Sequence, residues 1–335
     1  MVEKIAVIGG GSWGTTLAVL LADKGHVVTL WVYEEDLAGR MRDTRINDLY
    51  LPDFKLPENL KVDSRLGEAV KDKDIIVTVT PSHVTRSVLT GLLPDIKEDA
   101  IFVSASKGIE NDSLMTMNDV MEDVLPKEFH HSLTFLSGPS FAKEVCKKMP
   151  TAVSVASRNP EAAQRVQAAF NCDYFRVYTN PDVMGVELGG ALKNVIAIAA
   201  GCSDGLGYGH NTRAALITRG LSEIARLGMA MGANPLTFSG LSGMGDLVLT
   251  CTGDLSRNRT VGFRLGQGAT LNEILSEMKM VAEGVKTTKS AYDLSRKYSV
   301  TMPITEQVYK LLYEEKEPGQ VVRDLMGRDL KSELG

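Results

Sequence analysis

Gly9-Gly-Gly-Ser-Trp-Gly14 follows the apolar run Lys4-Ile-Ala-Val-Ile8 and opens the helix-like stretch Thr15-Thr-Leu-Ala-Val-Leu-Leu-Ala22. Few arrangements restrict a fold more. A GxGxxG pattern alone marks little beyond a turn. Between a strand and a helix it is a dinucleotide-binding fingerprint. Its glycines allow a tight turn and close approach of the backbone to a pyrophosphate. The helix N-terminus then presents unpaired N–H groups and a positive partial charge. Gly9, Gly11 and Gly14 are therefore expected to contact a dinucleotide.

The rest of the first half agrees with that start. Short apolar, β-branched runs recur at Val27–Val32, Asp74–Thr80, Ile101–Ser104, Leu133–Leu136 and Thr151–Ala156, separated by helix-length segments. This is the signature of a parallel sheet covered on both faces. Past about residue 180 the strand signals stop. Helical patterns take over at Val183–Ala200, Arg213–Met231, Leu271–Lys279, Val285–Tyr298 and Ile304–Glu314. Glycine-rich joints are expected at Ser239–Asp246 and Gly262–Gly268. The expected class is α/β: an N-terminal doubly wound, Rossmann-like domain (1–180) and an all-helical C-terminal domain (181–335). The boundary falls at Thr179-Asn-Pro-Asp182, where cap residues precede a helix.

A chain of 335 residues holds two domains of this kind. The formal net charge of -5 and the lack of a basic run argue against a nucleic-acid binder. No apolar run approaches the roughly 18 residues of a membrane span. The chain enters its first strand at once, so no leader is expected and the cytoplasm is the expected location. Cys146, Cys172, Cys202 and Cys251 are scattered without CxxC spacing, which points to free thiols and to neither metal nor disulfide.

The second strand runs into Tyr33-Glu-Glu-Asp36, about 20 residues past the last fingerprint glycine. An acidic group there accepts bonds from adenosine ribose hydroxyls and repels a 2′-phosphate. No arginine stands at the strand end, and Arg40 comes later. The expected cofactor is NAD or NADP, with the residues leaning to NAD.

Lys193 is the most conspicuous charge in the second half. It lies inside the apolar helical stretch Val183–Ala200, with Gly189 and Gly190 four and three positions earlier. Burying a lysine there without a partner is costly. The two glycines suggest a ligand lying against the backbone. Lys107 in Ser104-Ala-Ser-Lys-Gly108 stands just past a strand's C-terminal end, where ligands of open α/β sheets bind. Ser140 in Ser137-Gly-Pro-Ser-Phe-Ala-Lys-Glu144 is placed as a helix cap or ligand donor. Arg257 and Asn258, after Ser256, are suited to clamp a phosphate. Asp246 is placed to orient one of the lysines, or to cap a helix. With the hydride carried by a nicotinamide, Lys193 is the best proton donor and acceptor, its pKa lowered by burial and by Lys107.

These stretches together resemble the NAD(P)-dependent glycerol-3-phosphate dehydrogenase family over essentially the whole chain. The matching motifs are Gly9–Leu17, Ser106-Lys-Gly108, Ser137–Ala142, Glu187–Val195, Gly240–Asp246, Ser256-Arg-Asn258 and Ala282-Glu-Gly284. The resemblance implies reversible reduction of dihydroxyacetone phosphate to sn-glycerol 3-phosphate, which feeds glycerophospholipid synthesis. It implies cofactor contacts at Ser12, Trp13, Tyr33, Lys107, Ala142, Arg257, Val281 and Glu283. It implies substrate contacts at Lys107, Gly138, Ser140, Asp246, Ser256, Arg257 and Asn258, and Lys193 as the proton acceptor at the substrate. Lys193, Lys107 and Asp246 are the expected catalytic set. The stretch Trp31–Asp36 is similar to the NAD-linked eukaryotic form, whereas Ser256-Arg-Asn258 is similar to the bacterial type. A homodimer is expected from the prevalence of dimers. Two alternatives stand beside this reading: a related 3-hydroxyacid or 6-phosphogluconate dehydrogenase, and a dinucleotide sensor without turnover.

Overall fold

A computed structural model describes residues 2–278, 282–330 and 332–333. Ten strands occur among them: β1 (Lys4–Ile8), β2 (Val27–Trp31), β3 (Ile46–Asn47), β4 (Leu51–Lys55), β5 (Lys61–Asp63), β6 (Ile75–Thr78), β7 (Ile101–Ser104), β8 (Leu133–Ser137), β9 (Thr151–Ala156) and β10 (Phe175–Asn180). Eight form one sheet in the order β10-β9-β8-β7-β6-β1-β2-β5, and β3–β4 form a separate antiparallel pair. β1 shows why the buried runs are continuously apolar. Ile5 and Val7 enter the core on one face, while Ala6 and Ile8 enter the core on the other.

The sheet departs from the expected all-parallel form at one point. β9 pairs antiparallel to β8, and β10 is parallel to β9, so the last two strands run against the other six. After β8 the chain turns back through the short helix Ala142–Cys146. A strand buried on both faces has the same residue pattern in either direction, so the reversal left no mark in the pattern. The expected strand runs match β1, β2, β6, β7, β8 and β9. β3, β4, β5 and β10 are additions, short or rich in polar residues.

The sheet ends at Asn180, and the helix Val183–Gly205 starts three residues later. Asp182 caps it by accepting from the Gly185 N–H at 2.9 Å, and its second oxygen accepts from the Asn234 N–H at 2.9 Å. This helix is the axis of the second half. Its first turn packs Val183 and Val186 into the sheet core, and the rest fills the helical core with Leu188, Leu192, Val195, Ile196 and Ile198. Its mean hydropathy of 1.5 over an 18-residue window reaches the level of a membrane span, but 83% of that window is buried in the protein. Glu187 fastens it to the sheet half by accepting from the Asn118 N–H at 2.9 Å; burial pushes this carboxyl up to about 8.

Gly262 lies inside the helix Arg257–Gly266, where the glycines had suggested a joint. A Cβ at Gly262 would stand 2.0 Å from the Ile198 carbonyl oxygen, and one at Gly201 would stand 2.0 Å from the Arg259 carbonyl oxygen. Gly205 and Gly266 are as tightly placed, at 2.2 Å and 2.3 Å from backbone oxygens. The two helices therefore touch backbone to backbone. That contact fixes the start of Arg257–Gly266 beside the middle of Val183–Gly205.

Candidate active site

The glycine turn after β1 has the shape that a dinucleotide requires. Gly9 has φ +131°, which side-chain-bearing residues rarely adopt. A Cβ at Gly14 would stand 1.9 Å from the Gly9 carbonyl oxygen, so this position packs helix against turn. A Cβ at Gly11 would meet nothing within 4 Å. Gly11 is also the N-cap of the helix Ser12–Asp23 and gives it no side-chain cap. Open space at Gly11 before uncapped N–H groups fits a pyrophosphate. The indole Nε1 of Trp13 is buried without a hydrogen-bond partner among the described residues, a further orphan donor at this end.

The loop between β3 and β4 closes over the turn. The Asn47 amide, fully buried, donates to the Gly10 carbonyl at 2.7 Å and to Thr15 Oγ1 at 2.8 Å. Ser12 Oγ donates to the Tyr50 carbonyl at 2.7 Å. Tyr33, just beyond β2, is 79% exposed, its ring edge-on to Trp31. Ala142 begins the short helix that packs against Ser12–Asp23, and its carbonyl accepts from Thr16 Oγ1 at 3.4 Å.

A second cluster forms around Asp246. The residue is 1% exposed and opens the helix Asp246–Thr252. Its Oδ1 lies 2.9 Å from Lys193 Nζ, and its Oδ2 lies 2.7 Å from Lys107 Nζ. Asp246 thus bridges two lysines instead of orienting one. Lys193 Nζ also donates to Thr250 Oγ1 at 2.7 Å, while that hydroxyl donates to the Asp246 carbonyl at 2.6 Å. Because the threonine proton is committed to the carbonyl, its oxygen must accept from the lysine. An ammonium has three donors. Two are directed at Asp246 and Thr250, which leaves one for a further acceptor. Burial holds Lys193 below the ordinary lysine pKa; Asp246 pulls it back up and the Lys107 charge lowers it again.

The glycines beside Lys193 do not form a ligand groove. A Cβ at Gly189 would stand 2.4 Å from the Ser242 carbonyl oxygen, and one at Gly190 would stand 2.5 Å from Ser137 Oγ. The protein's own Ser239–Asp246 and Ser137 segments fill that face. The bare surface lets the Ser242–Gly243 backbone and the Lys107 stem lie close against the helix.

Lys107 Nζ also donates to the Gly138 carbonyl at 3.1 Å, and Ser140 Oγ donates to the same carbonyl at 3.0 Å. Ser140 is not a cap, since the next helix begins after Phe141 without a side-chain cap. Ser256 is one, accepting from the Arg259 N–H at 3.2 Å. Asn258 is held on both sides: Nδ2 donates to Asn194 Oδ1 at 2.9 Å, and Oδ1 accepts from the Gly284 N–H at 2.9 Å. Its second amide hydrogen remains available as a donor. Arg257 and Glu283 interact across the same region. Burial pushes Glu283 up to about 7, while Arg257, then Lys193 and Lys107, pull it down. Burial likewise lowers Arg257, and Glu283 opposes this. Val281 lies outside the described residues.

Asn194 and Thr250 were assigned no role from the sequence. Thr250 stands four positions after Asp246 on a helix, the spacing of residues that share a face.

Family models named NAD-dependent glycerol-3-phosphate dehydrogenase N-terminus and C-terminus match residues 4–163 and 182–323. A glycerol-3-phosphate dehydrogenase [NAD(P)+] of Citrifermentans bemidjiense is 62% identical over 333 residues, covering 99% of both chains. The chain belongs to the glycerol-3-phosphate dehydrogenase family. A second relative of that description, from Geobacter metallireducens, is 63% identical over 335 residues and covers both chains fully. The crystal structure of glycerol-3-phosphate dehydrogenase from Coxiella burnetii is 40% identical with a TM-score of 0.93, covering 98% of this chain and 99% of that one. The family is that of an NAD(P)-dependent oxidoreductase, so the cofactor is NAD or NADP, a dinucleotide that the glycine turn fits.

Proposed function

We propose that this enzyme reduces dihydroxyacetone phosphate to sn-glycerol 3-phosphate and catalyses the reverse reaction. One observation carries the reading. The buried amine of Lys193 is aimed by Asp246 and Thr250 and retains one donor for a substrate oxygen. When bound, the reduced nicotinamide supplies a hydride to the carbonyl carbon. Lys193, as the ammonium, gives its proton to the carbonyl oxygen; in the reverse direction the amine takes the proton from the alcohol. The lowered pKa shortens the gap between the amine and working pH. Lys107 and Asp246 complete the catalytic set, Lys107 meeting substrate and cofactor alike.

Gly138, Ser140, Ser256, Arg257 and Asn258 are the proposed substrate contacts, with the guanidinium of Arg257 taking the phosphate. Gly9, Gly11, Ser12, Trp13, Gly14, Tyr33, Lys107, Ala142, Arg257 and Glu283 are the proposed cofactor contacts, with Val281 on family resemblance alone. We place the cofactor-binding unit at residues 1–180 and the substrate-binding unit at 181–335. Work as a cytoplasmic homodimer feeding glycerophospholipid synthesis completes the proposal; four free thiols suit a reducing compartment.

The test is direct. Purified protein with NADH should lose nicotinamide absorbance on addition of dihydroxyacetone phosphate, and not with 3-hydroxyacid-derived ketones. Binding of NADH with no absorbance loss in dihydroxyacetone phosphate would leave a non-catalytic sensor as the better reading.

A further inference from the structure

The cofactor site has a second layer that bears on which nucleotide it takes. In a dinucleotide fold, the end of the second strand faces the adenosine ribose, where NAD carries a 2′-hydroxyl and NADP a phosphate. Here that end is Tyr33-Glu-Glu, and Glu34 starts the helix Glu35–Thr44 from an extended conformation. An exposed glutamate normally samples many rotamers. This one is fixed, because Tyr50 OH donates to Glu34 Oε1 at 2.9 Å.

Tyr50 is itself anchored. Its N–H donates to Asn47 Oδ1 at 3.0 Å, its carbonyl accepts from Ser12, and its side chain packs against the sheet core. Since Asn47 is bonded to the glycine turn, the loop carries the geometry of the pyrophosphate end to the adenosine end. The same loop acts on the cation that follows the strand. Arg40 donates through Nε to Asp48 Oδ2 at 2.8 Å and through a terminal nitrogen to Asp48 Oδ1 at 3.1 Å. Asp48 takes two of the guanidinium's five N–H donors and offsets its charge, which weakens what Arg40 offers a 2′-phosphate. Arg42 sits about 200° further round the helix.

The geometry points to the Asn47–Tyr50 loop as the element that selects NAD over NADP. Tyr50 is a positioning residue that holds the Glu34 carboxylate toward the ribose hydroxyls. Asp48 withholds Arg40 from a phosphate. The inference rests on the cofactor placement given above and concerns the 2′ position alone.

The experiment compares kcat/KM for NADH and NADPH, at saturating dihydroxyacetone phosphate, in full-length wild type, Tyr50→Phe and Asp48→Asn. Loss of one charge-assisted contact corresponds to roughly tenfold or more in affinity. Wild type should therefore favour NADH by at least about tenfold. Both substitutions should lower that ratio several-fold, through the nucleotide KM rather than kcat. A merely structural role would scale both nucleotides together and leave the ratio where it was. Fluorescence titration with NADH and NADPH reads the same ratio without turnover, so a wrong substrate assignment would not mask the outcome. Equal use of the two nucleotides by wild type, or a ratio that neither variant moves beyond about twofold, overturns the inference.

Discussion

Lys193→Ala is expected to reduce turnover by at least 10²- to 10⁴-fold, the usual contribution of a positioned proton donor, while NADH affinity stays near wild type. Without the amine, the oxygen that gains negative charge as hydride reaches the carbonyl carbon loses the donor that Asp246 and Thr250 hold in place. The fold should tolerate the change. Asp246 keeps Lys107 at 2.7 Å, so one carboxylate still meets one cation. The glycine turn lies in the other half of the chain, fastened by Asn47 and Ser12, and loses nothing. Steady-state rates and a nucleotide titration on the same preparation check both parts. A variant that cannot bind NADH would move Lys193 from chemistry to cofactor binding.

Asp246→Asn should be the more damaging change to stability. It leaves two ammonium groups converging on a neutral amide whose NH₂ opposes at least one of them. Breaking a buried pair by removing one partner typically costs about 3–5 kcal/mol. The lower end, about 3 kcal/mol, applies because the Lys107 side chain keeps 17% of its exposure and some access to water. The loss should depend on pH in a definite sense. Burial already lowers Lys193 in the folded protein, and Asp246 is the influence that raises it. In the variant the folded state sheds that proton more readily than the unfolded chain. Between the lowered folded value and the ordinary lysine value of 10.5, the unfolded chain binds more protons, so stability rises with pH. Wild-type Lys193 is itself lowered, though less, so melting curves should show the variant closing on wild type as pH rises from the variant's folded value to the wild type's, both below 10.5. A deficit that is constant with pH would remove the two-lysine bridge as its cause.

The parts of this site that were legible in the sequence share a property: local spacing fixes them. The glycine turn is read from six consecutive residues between a strand and a helix, and Lys193 from its contrast with an apolar helix. What distance in the chain separates is harder to read. Lys107, Lys193 and Asp246 are each conspicuous, but nothing in their neighbourhoods says that one carboxylate serves both lysines. Gly189 and Gly190 were misread for a related reason. A glycine face reports close approach without naming what approaches, and here it is Ser242 and Ser137. Gly262 followed the same rule, taken for a joint and found at a helix crossing. The reversal of β9 escaped because burial on both faces erases the record of strand direction. β3 and β4 escaped because Leu51-Pro-Asp-Phe-Lys55 alternates too weakly to mark a strand, although their loop is what ties Tyr50 to Glu34.

The central claim is that the Lys193 amine, held by Asp246 and Thr250, exchanges a proton with the substrate oxygen. A crystal structure of the ternary complex with NAD and sn-glycerol 3-phosphate tests it most directly. The account expects Lys193 Nζ within about 2.6–3.2 Å of the C2 oxygen, with its bonds to Asp246 and Thr250 intact. An amine turned wholly toward Asp246 and Thr250, with the C2 oxygen bonded to some other side chain, would contradict it.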